Sequence, residues 1–225
     1  MDKNIVMIAG ATGLIGNELT KIMLEENAID HIYALSRRAL PFFHPKLQLI
    51  QHQDLKITQW QESSPSPTKG YICLGTTKKQ AGSRQRLEQI DVHLVREVAQ
   101  TMKLVGVKHL TVVSSYGANT RSLSHYLRCK GKMELALSDM GFEQVTFVRP
   151  GPLKGLRDNP RKDEAIVQSV SKLLRPLMLG SLANLIPIEA SRVARAMLYT
   201  SFGYSNKRIQ TLNRIEMLKL LKKYQ

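Results

Sequence analysis

Acidic residues are scarce in this 225-residue chain: 18 Asp and Glu stand against 33 Lys and Arg, for a net charge of +15. Such a balance attracts polyanions. The other marks of a dedicated nucleic-acid binder are missing, however. There is no long basic run, no zinc-finger spacing and no motif that interleaves aromatic and basic residues. The cations fall in small groups at Lys78 and Lys79, Arg84 and Arg86, 157–162, Lys207 and Arg208, and 219–223. That scatter reads as a solvated basic surface, so nucleic acid is not an expected partner. Cysteine is equally sparse. Cys73 and Cys129 stand far apart, which excludes a disulfide framework and reads as two small buried hydrophobes. The six histidines show no His-x-x-x-His or Cys-x-x-Cys companion spacing, and no metal site is expected. No apolar run approaches the ~20 residues of a membrane span, and no secretory leader opens the chain. The default expectation is a cytoplasmic protein without a membrane segment.

What is present is a regular alternation of short apolar runs and helical periods. Residues 4–9 form an apolar run that ends at glycine, as a buried parallel strand does. Residues 14–26 then place Ile15, Leu19, Ile22 and Met23 at helical spacing. Further strands are expected at 31–36, 46–52, 70–74, 109–113 and 144–148. One long helix over 84–104 carries Leu87, Ile90, Leu94, Val98 and Met102 along one face, and another spans 123–140. After a basic loop to about 163, a helix near 164–179 and smaller elements follow; 215–221 reads as an amphipathic helix packed on the body. Strands alternating with helices predict an α/β, doubly wound parallel sheet. The chain is read as a single domain over 1–225, its core at about 1–150 and a small substrate-side lobe at about 151–225.

The turn after the first strand carries the first functional signal. Gly10-Ala-Thr12-Gly13-Leu14-Ile15-Gly16 joins strand to helix, the context a dinucleotide-binding turn needs. Gly10 allows the tight turn, Gly13 lets the backbone approach a pyrophosphate, and Gly16 lets the helix lie close to the sheet. The phosphates would then meet the free N–H groups and positive end of the helix. At the end of the second strand an NAD site places Asp or Glu for the ribose hydroxyls. This chain has Ser36-Arg37-Arg38, and two guanidiniums suit a 2′-phosphate. NADP(H) is therefore expected in preference to NAD(H). Asp54, after the third strand, is a candidate acceptor for the adenine amino group, with turn capping as the alternative.

The second signal is Tyr126-Leu-Arg-Cys-Lys130, a phenol and an ammonium one helical turn apart. The stripe 126, 130, 133, 137 puts Lys130 on the apolar face of its helix. A lysine there either snorkels past a core tyrosine or is kept for its charge. Free tyrosine titrates near pH ~10, and a neighbouring ammonium stabilises the phenolate. Tyr126 could then give a proton to a carbonyl oxygen while Ser115, at the end of the fifth strand, holds the same oxygen. Ser114 is the alternative, since adjacent serines are not separable by sequence.

Together these residues resemble the atypical branch of the short-chain dehydrogenase/reductase superfamily. The likeness rests on Gly10 to Gly16, Cys73-Leu-Gly-Thr-Thr77, Val113-Ser-Ser-Tyr-Gly-Ala118, Tyr126-x-x-x-Lys130 and Arg149-Pro-Gly151. In combination they look like the Tat-interacting-protein oxidoreductase group and its bacterial relatives, over roughly residues 4–200. The resemblance implies a Rossmann fold, NADPH binding and a catalytic set of Ser115, Tyr126 and Lys130. It also implies that Leu74, Gly75 and Thr76 pass under the cofactor and that Pro150 and Gly151 face the nicotinamide. The segment 187–193 resembles a late helix that helps close the substrate side. The expected activity is hydride transfer to a small carbonyl substrate by a monomer or homodimer. The alternative is a non-catalytic NADPH sensor that binds a macromolecular partner. Only eleven residues separate Ser115 from Tyr126 and the lobe after Gly151 is short, which argues against a nucleotide-sugar substrate.

Overall fold

A computed structural model describes residues 3–61, 63–154, 180–203 and 205–224. The helix expected near 164–179 lies outside the described residues. Seven parallel strands form the main sheet in the order β3-β2-β1-β4-β5-β6-β9. They are β1 (Ile5–Ala9), β2 (His31–Ser36), β3 (Leu47–Gln51), β4 (Lys69–Ile72), β5 (His109–Val113), β6 (Gln144–Arg149) and β9 (Ile209–Asn213). A two-stranded pair of β7 (Leu153–Lys154) and β8 (Ile188–Glu189) lies beside it. The expected fold class is the observed one.

The sheet is buried on both faces because its strands carry apolar side chains in both directions. In β1, Ile5, Met7 and Ala9 join one core while Val6 and Ile8 join the other. β2 divides the same way, Tyr33 and Leu35 against Ile32 and Ala34. This is the two-residue period of a strand sandwiched between helices. One face is covered by α1 (Leu14–Glu25), α6 (Ala190–Phe202) and α7 (Arg214–Leu221), through Leu19, Met23, Val193, Met197 and Met217. The other is covered by α4 (Val95–Leu104) and α5 (His125–Ser138), through Val95, Val98, Met102, Met133 and Leu137.

Two features depart from the sequence pattern. The segment beyond 151, expected as a lobe, supplies the seventh strand of the main sheet: β9 pairs with β6 from Val145↔Ile209 to Arg149↔Asn213. The helix expected over 84–104 is also not uniform. A short α2 (Lys78–Ala81) precedes α3 (Arg84–Glu88), a π turn spans Gln89–Leu94, and α4 follows. The wider turn shifts the buried stripe from Ile90 to Asp91, which is fully buried while Ile90 is only partly so. Such π turns favour functional positions.

Candidate active site

The residues singled out by sequence come from the carboxyl ends of the parallel strands, where open α/β sheets bind their ligands. Between β1 and β4 the strand order reverses direction, and a groove of about 500 Å³ opens there. Its lining includes Gly10, Thr12, Leu35, Ser36, Arg37, Arg38, Gln53, Leu55 and Leu74.

The glycine turn is shaped by contact rather than by conformation alone. Gly10 has φ +91°, and a Cβ on it would lie 2.7 Å from the Cys73 carbonyl carbon. A Cβ on Gly16 would lie 2.0 Å from the Gly10 carbonyl oxygen, so α1 can pack this tightly only with glycine there. The helix starts at Gly13 with no side-chain cap and no acid in its first turn. Leu14 and Ile15 follow directly, so the first N–H groups of the helix meet no competing carboxylate from its first turn. An uncapped helix start beside a basic groove is the arrangement a dinucleotide pyrophosphate fits.

Arg37 and Arg38 line the groove, and the Ser36 hydroxyl donates to the Arg38 carbonyl at 2.9 Å to shape the turn that carries them. Asp54 is exposed and is not part of the lining; its backbone N–H donates to His52 Nδ1 at 3.1 Å. Its neighbours Gln53 and Leu55 line the groove instead. Leu55 has φ +54°, the sole positive value of a non-glycine among the described residues. Backbone strain of that kind collects at ligand clamps.

Further along the carboxyl edge, Lys130 and Asp91 form a buried ion pair at 3.3 Å, their side chains 3% and 0% exposed. The same Asp91 Oδ1 accepts the Thr76 N–H at 3.1 Å. A Cβ on Gly75 would lie 3.1 Å from Lys130 Nζ and 3.2 Å from Asp91 Oδ1. The 74–76 loop therefore rests directly on the pair. Lys130 Nζ is 6.0 Å from the centre of the Tyr126 ring. Burial alone would push the Lys130 ammonium down, but the Tyr126 phenol and Asp91 outweigh it and hold the group above the ordinary lysine range. Asp91 Oδ2 is buried without a hydrogen-bond partner. Sequence reading missed Asp91. The available signal was a carboxylate in the stripe 87, 91, 95, 98, 102, where every other member is apolar.

The structure separates the adjacent serines. Ser114 is buried, and its hydroxyl donates to Glu134 Oε1 at 2.5 Å. Glu134 is held in turn by Arg149, from Nε to Oε1 at 2.8 Å and from NH2 to Oε2. That bond to Glu134 pushes the Arg149 guanidinium further up. Ser114 is thus tied into the packing of α5 on β6. Ser115 is partly exposed at the strand end, and its hydroxyl makes only a 3.5 Å contact to the Tyr116 carbonyl. Tyr126 is partly exposed as well, and its hydroxyl has no hydrogen-bond partner among the described residues. The loops after β5 and β6 are joined by the Tyr116 N–H, which donates to the Pro150 carbonyl at 2.9 Å. Gly151 packs so closely on the Asn184 carbonyl that a Cβ would approach it to 2.3 Å.

The sheet order and the glycine turn define an α/β protein with the Rossmann-like fold of the NAD-binding epimerases. Solved structures share it at low identity. One is MoeE5 in complex with UDP-glucose and NAD, with TM-score 0.63 and 18% identity, covering 92% of this chain and 75% of that one. Another is the UDP-N-acetylglucosamine 4-epimerase of Methanobrevibacter ruminantium M1, with TM-score 0.69 and 14% identity, covering 95% and 77%. WbmH of Bordetella bronchiseptica in complex with NAD+ gives 0.66 at 14% identity, covering 92% and 74%. More narrowly, the chain belongs to the HIM1 family, which it matches over residues 66–181, together with the FMP52 proteins of yeasts. It is 31% identical to the mitochondrial protein FMP52 of Lodderomyces elongisporus over 206 residues, 85% of this chain and 84% of the relative. For FMP52 of Saccharomyces cerevisiae the identity is 30% over 200 residues, covering 88% and 80%.

These relatives are named as mitochondrial, which overturns the expected cytoplasmic location. Among the described residues no helix is long and apolar enough to cross a membrane.

Proposed function

We propose that the chain is an NADP(H)-dependent oxidoreductase that transfers hydride to the carbonyl group of a small substrate. The observation that carries this reading is the buried Lys130–Asp91 pair beneath Gly75, its lysine one helical turn from the partly exposed Tyr126. A charged pair is expensive to bury and adds little stability over apolar packing, so its place at the nucleotide crevice favours a chemical role.

The dinucleotide would be held by the 10–16 turn at its phosphates and by Arg37 and Arg38 at a 2′-phosphate, with Gln53 and Leu55 beside the adenosine end. Leu74, Gly75 and Thr76 would lie beneath it, and Pro150 and Gly151 beside the nicotinamide. When bound, that group supplies the hydride. Tyr126 donates its phenolic proton to the oxygen that gains charge, and the Lys130 ammonium stabilises the phenolate left behind. Ser115 donates a hydrogen bond to the same oxygen. Asp91 keeps Lys130 charged and aimed. The motif resemblance to the Tat-interacting-protein group supports the same assignment, and the relatives' names support a mitochondrial setting.

The test is titration of cofactor-free protein with NADPH and NADH, followed by a carbonyl panel watched at the NADPH absorbance. Tight NADPH binding, weaker NADH binding and turnover lost in Tyr126→Phe with NADPH affinity retained are expected. Unchanged turnover in that variant removes the proton-donor role. Tight binding without turnover across the panel leaves the alternative of an NADPH sensor.

A further inference from the structure

Beside Tyr126 on α5 lies a cluster that the proposed hydride transfer does not use. We infer that Glu88, His125 and Cys129 form a binding site for a borderline-soft divalent cation of the Zn²⁺ class. Their donor atoms all lie within 4.8 Å of one another. His125 and Cys129 are four residues apart on α5 and share one side of the helix, and Glu88 closes the site from the end of α3. His125 Nε2 and Cys129 Sγ are 3.5 Å apart. Two ligands at Zn–N ~2.0 Å and Zn–S ~2.3 Å with a tetrahedral angle stand about 3.5 Å apart, so this edge of the coordination figure is already in place.

The donor chemistry agrees with that geometry. One imidazole, one thiolate and one carboxylate select zinc-like ions over Mg²⁺ or Ca²⁺, which prefer oxygen. Lys132 donates to Glu88 Oε1 at 2.6 Å, which leaves the second carboxylate oxygen available as a ligand. A cation entering the site displaces the Cys129 thiol proton. The resulting carboxylate and thiolate neutralise the two charges of the ion, and a water completes four-coordination. Glu88 and His125 are partly exposed and give access from solvent, whereas Cys129 is buried.

Two contacts must yield. His125 Nε2 lies 3.1 Å from the Arg84 carbonyl, and an Arg128 nitrogen lies 3.4 Å from Nδ1. Coordination through Nε2 moves the ring proton to Nδ1 and ends both. The first is an ordinary hydrogen bond and the second a long one, and a metal–imidazole bond outweighs both. Occupancy has a structural consequence. The ion would pin α5, which carries Tyr126 and Lys130, to the helix end that leads directly into the π turn carrying Asp91.

The experiment titrates the full chain with Co²⁺, a spectroscopic substitute for Zn²⁺. One equivalent is expected to produce a thiolate-to-cobalt charge-transfer band in the near ultraviolet, and Zn²⁺ should then abolish it. The band should vanish in Cys129→Ser and persist in Cys73→Ser. His125→Gln, at a partly exposed position that leaves the core intact, should weaken Co²⁺ binding by about tenfold or more. Circular dichroism establishes that each variant is folded. No band at one equivalent, a band surviving Cys129→Ser, or His125→Gln binding Co²⁺ as well as the parent overturns the inference.

Discussion

Replacing Asp91 by Asn removes a charge while keeping the shape and the acceptor for the Thr76 N–H. At 3.3 Å and an effective dielectric of about 20, the lost attraction to Lys130 amounts to about 5 kcal/mol. Removing one partner of a buried pair typically costs about 3–5 kcal/mol, because the remaining charge stays buried. A second limit comes from the lysine itself, which can shed its proton. At pH 7 that costs at most about 4.6 kcal/mol from an ordinary lysine value. Both routes give a loss of roughly 3–4 kcal/mol and a melting temperature lowered by roughly 10 °C. Urea unfolding of wild type, Asp91→Asn, Lys130→Met and the double variant measures it. The double variant should be more stable than the sum of the single losses implies, by about 2–3 kcal/mol, since no orphaned charge remains. The pH dependence supplies a sign. In wild type the Lys130 pKa is raised, so its contribution is full below the ordinary lysine range and is lost only as pH rises through the higher folded value. In Asp91→Asn the folded value is depressed, so the variant gains stability as pH rises from 7 to 9 and the gap narrows. A loss below about 1 kcal/mol, additivity in the cycle, or a gap that stays constant with pH would refute the argument.

Gly16→Ala should abolish dinucleotide binding and destabilise the fold by about 1–3 kcal/mol or more, because its Cβ meets backbone that cannot swing aside. Gly82→Ala meets nothing within 4 Å and should leave binding intact, although its φ of +77° costs about 1 kcal/mol of stability; equal binding by both variants would sink the claim. Arg37→Leu with Arg38→Leu should weaken NADPH by about 2–4 kcal/mol while leaving NADH nearly unchanged; equal losses for both cofactors would remove the 2′-phosphate role. The fold should also weaken in alkali. Burial pushes the Tyr71 phenol up and the Cys73 thiol up to about 12. Their contribution is therefore full below about pH 9 and is lost as pH rises through the folded values, which an unfolding series from pH 8 to 11 would read as falling stability.

Much of the fold was legible because its cause is local. The apolar runs at 31–36 and 109–113 coincide with β2 and β5, and the glycine spacing at 10–16 defines the turn that packs α1 on the sheet. β9 was not legible. All five of its residues are only partly buried, so no strong apolar run marks it, and its place depends on the free edge of β6. Nor does the sequence show that Gln53 and Leu55, and not Asp54 between them, line the groove, since the turn after β3 sets those directions. The closeness of Glu88 to His125 and Cys129 was not legible either, because it depends on how α3 packs against α5.

By itself the sequence determined the class of sheet, the glycine turn and the arginine pair after the second strand, and the spacing of Tyr126 and Lys130, because each is written in neighbours along one strand, turn or helix. Tertiary structure decided which serine is free, what neutralises Lys130 and what stands beside Cys129. Those answers depend on distances between residues 15 to 41 positions apart in the chain, such as Arg149 on Glu134, Asp91 against Lys130 and Arg84 against His125. Periodicity carries no record of such distances until the helices are packed.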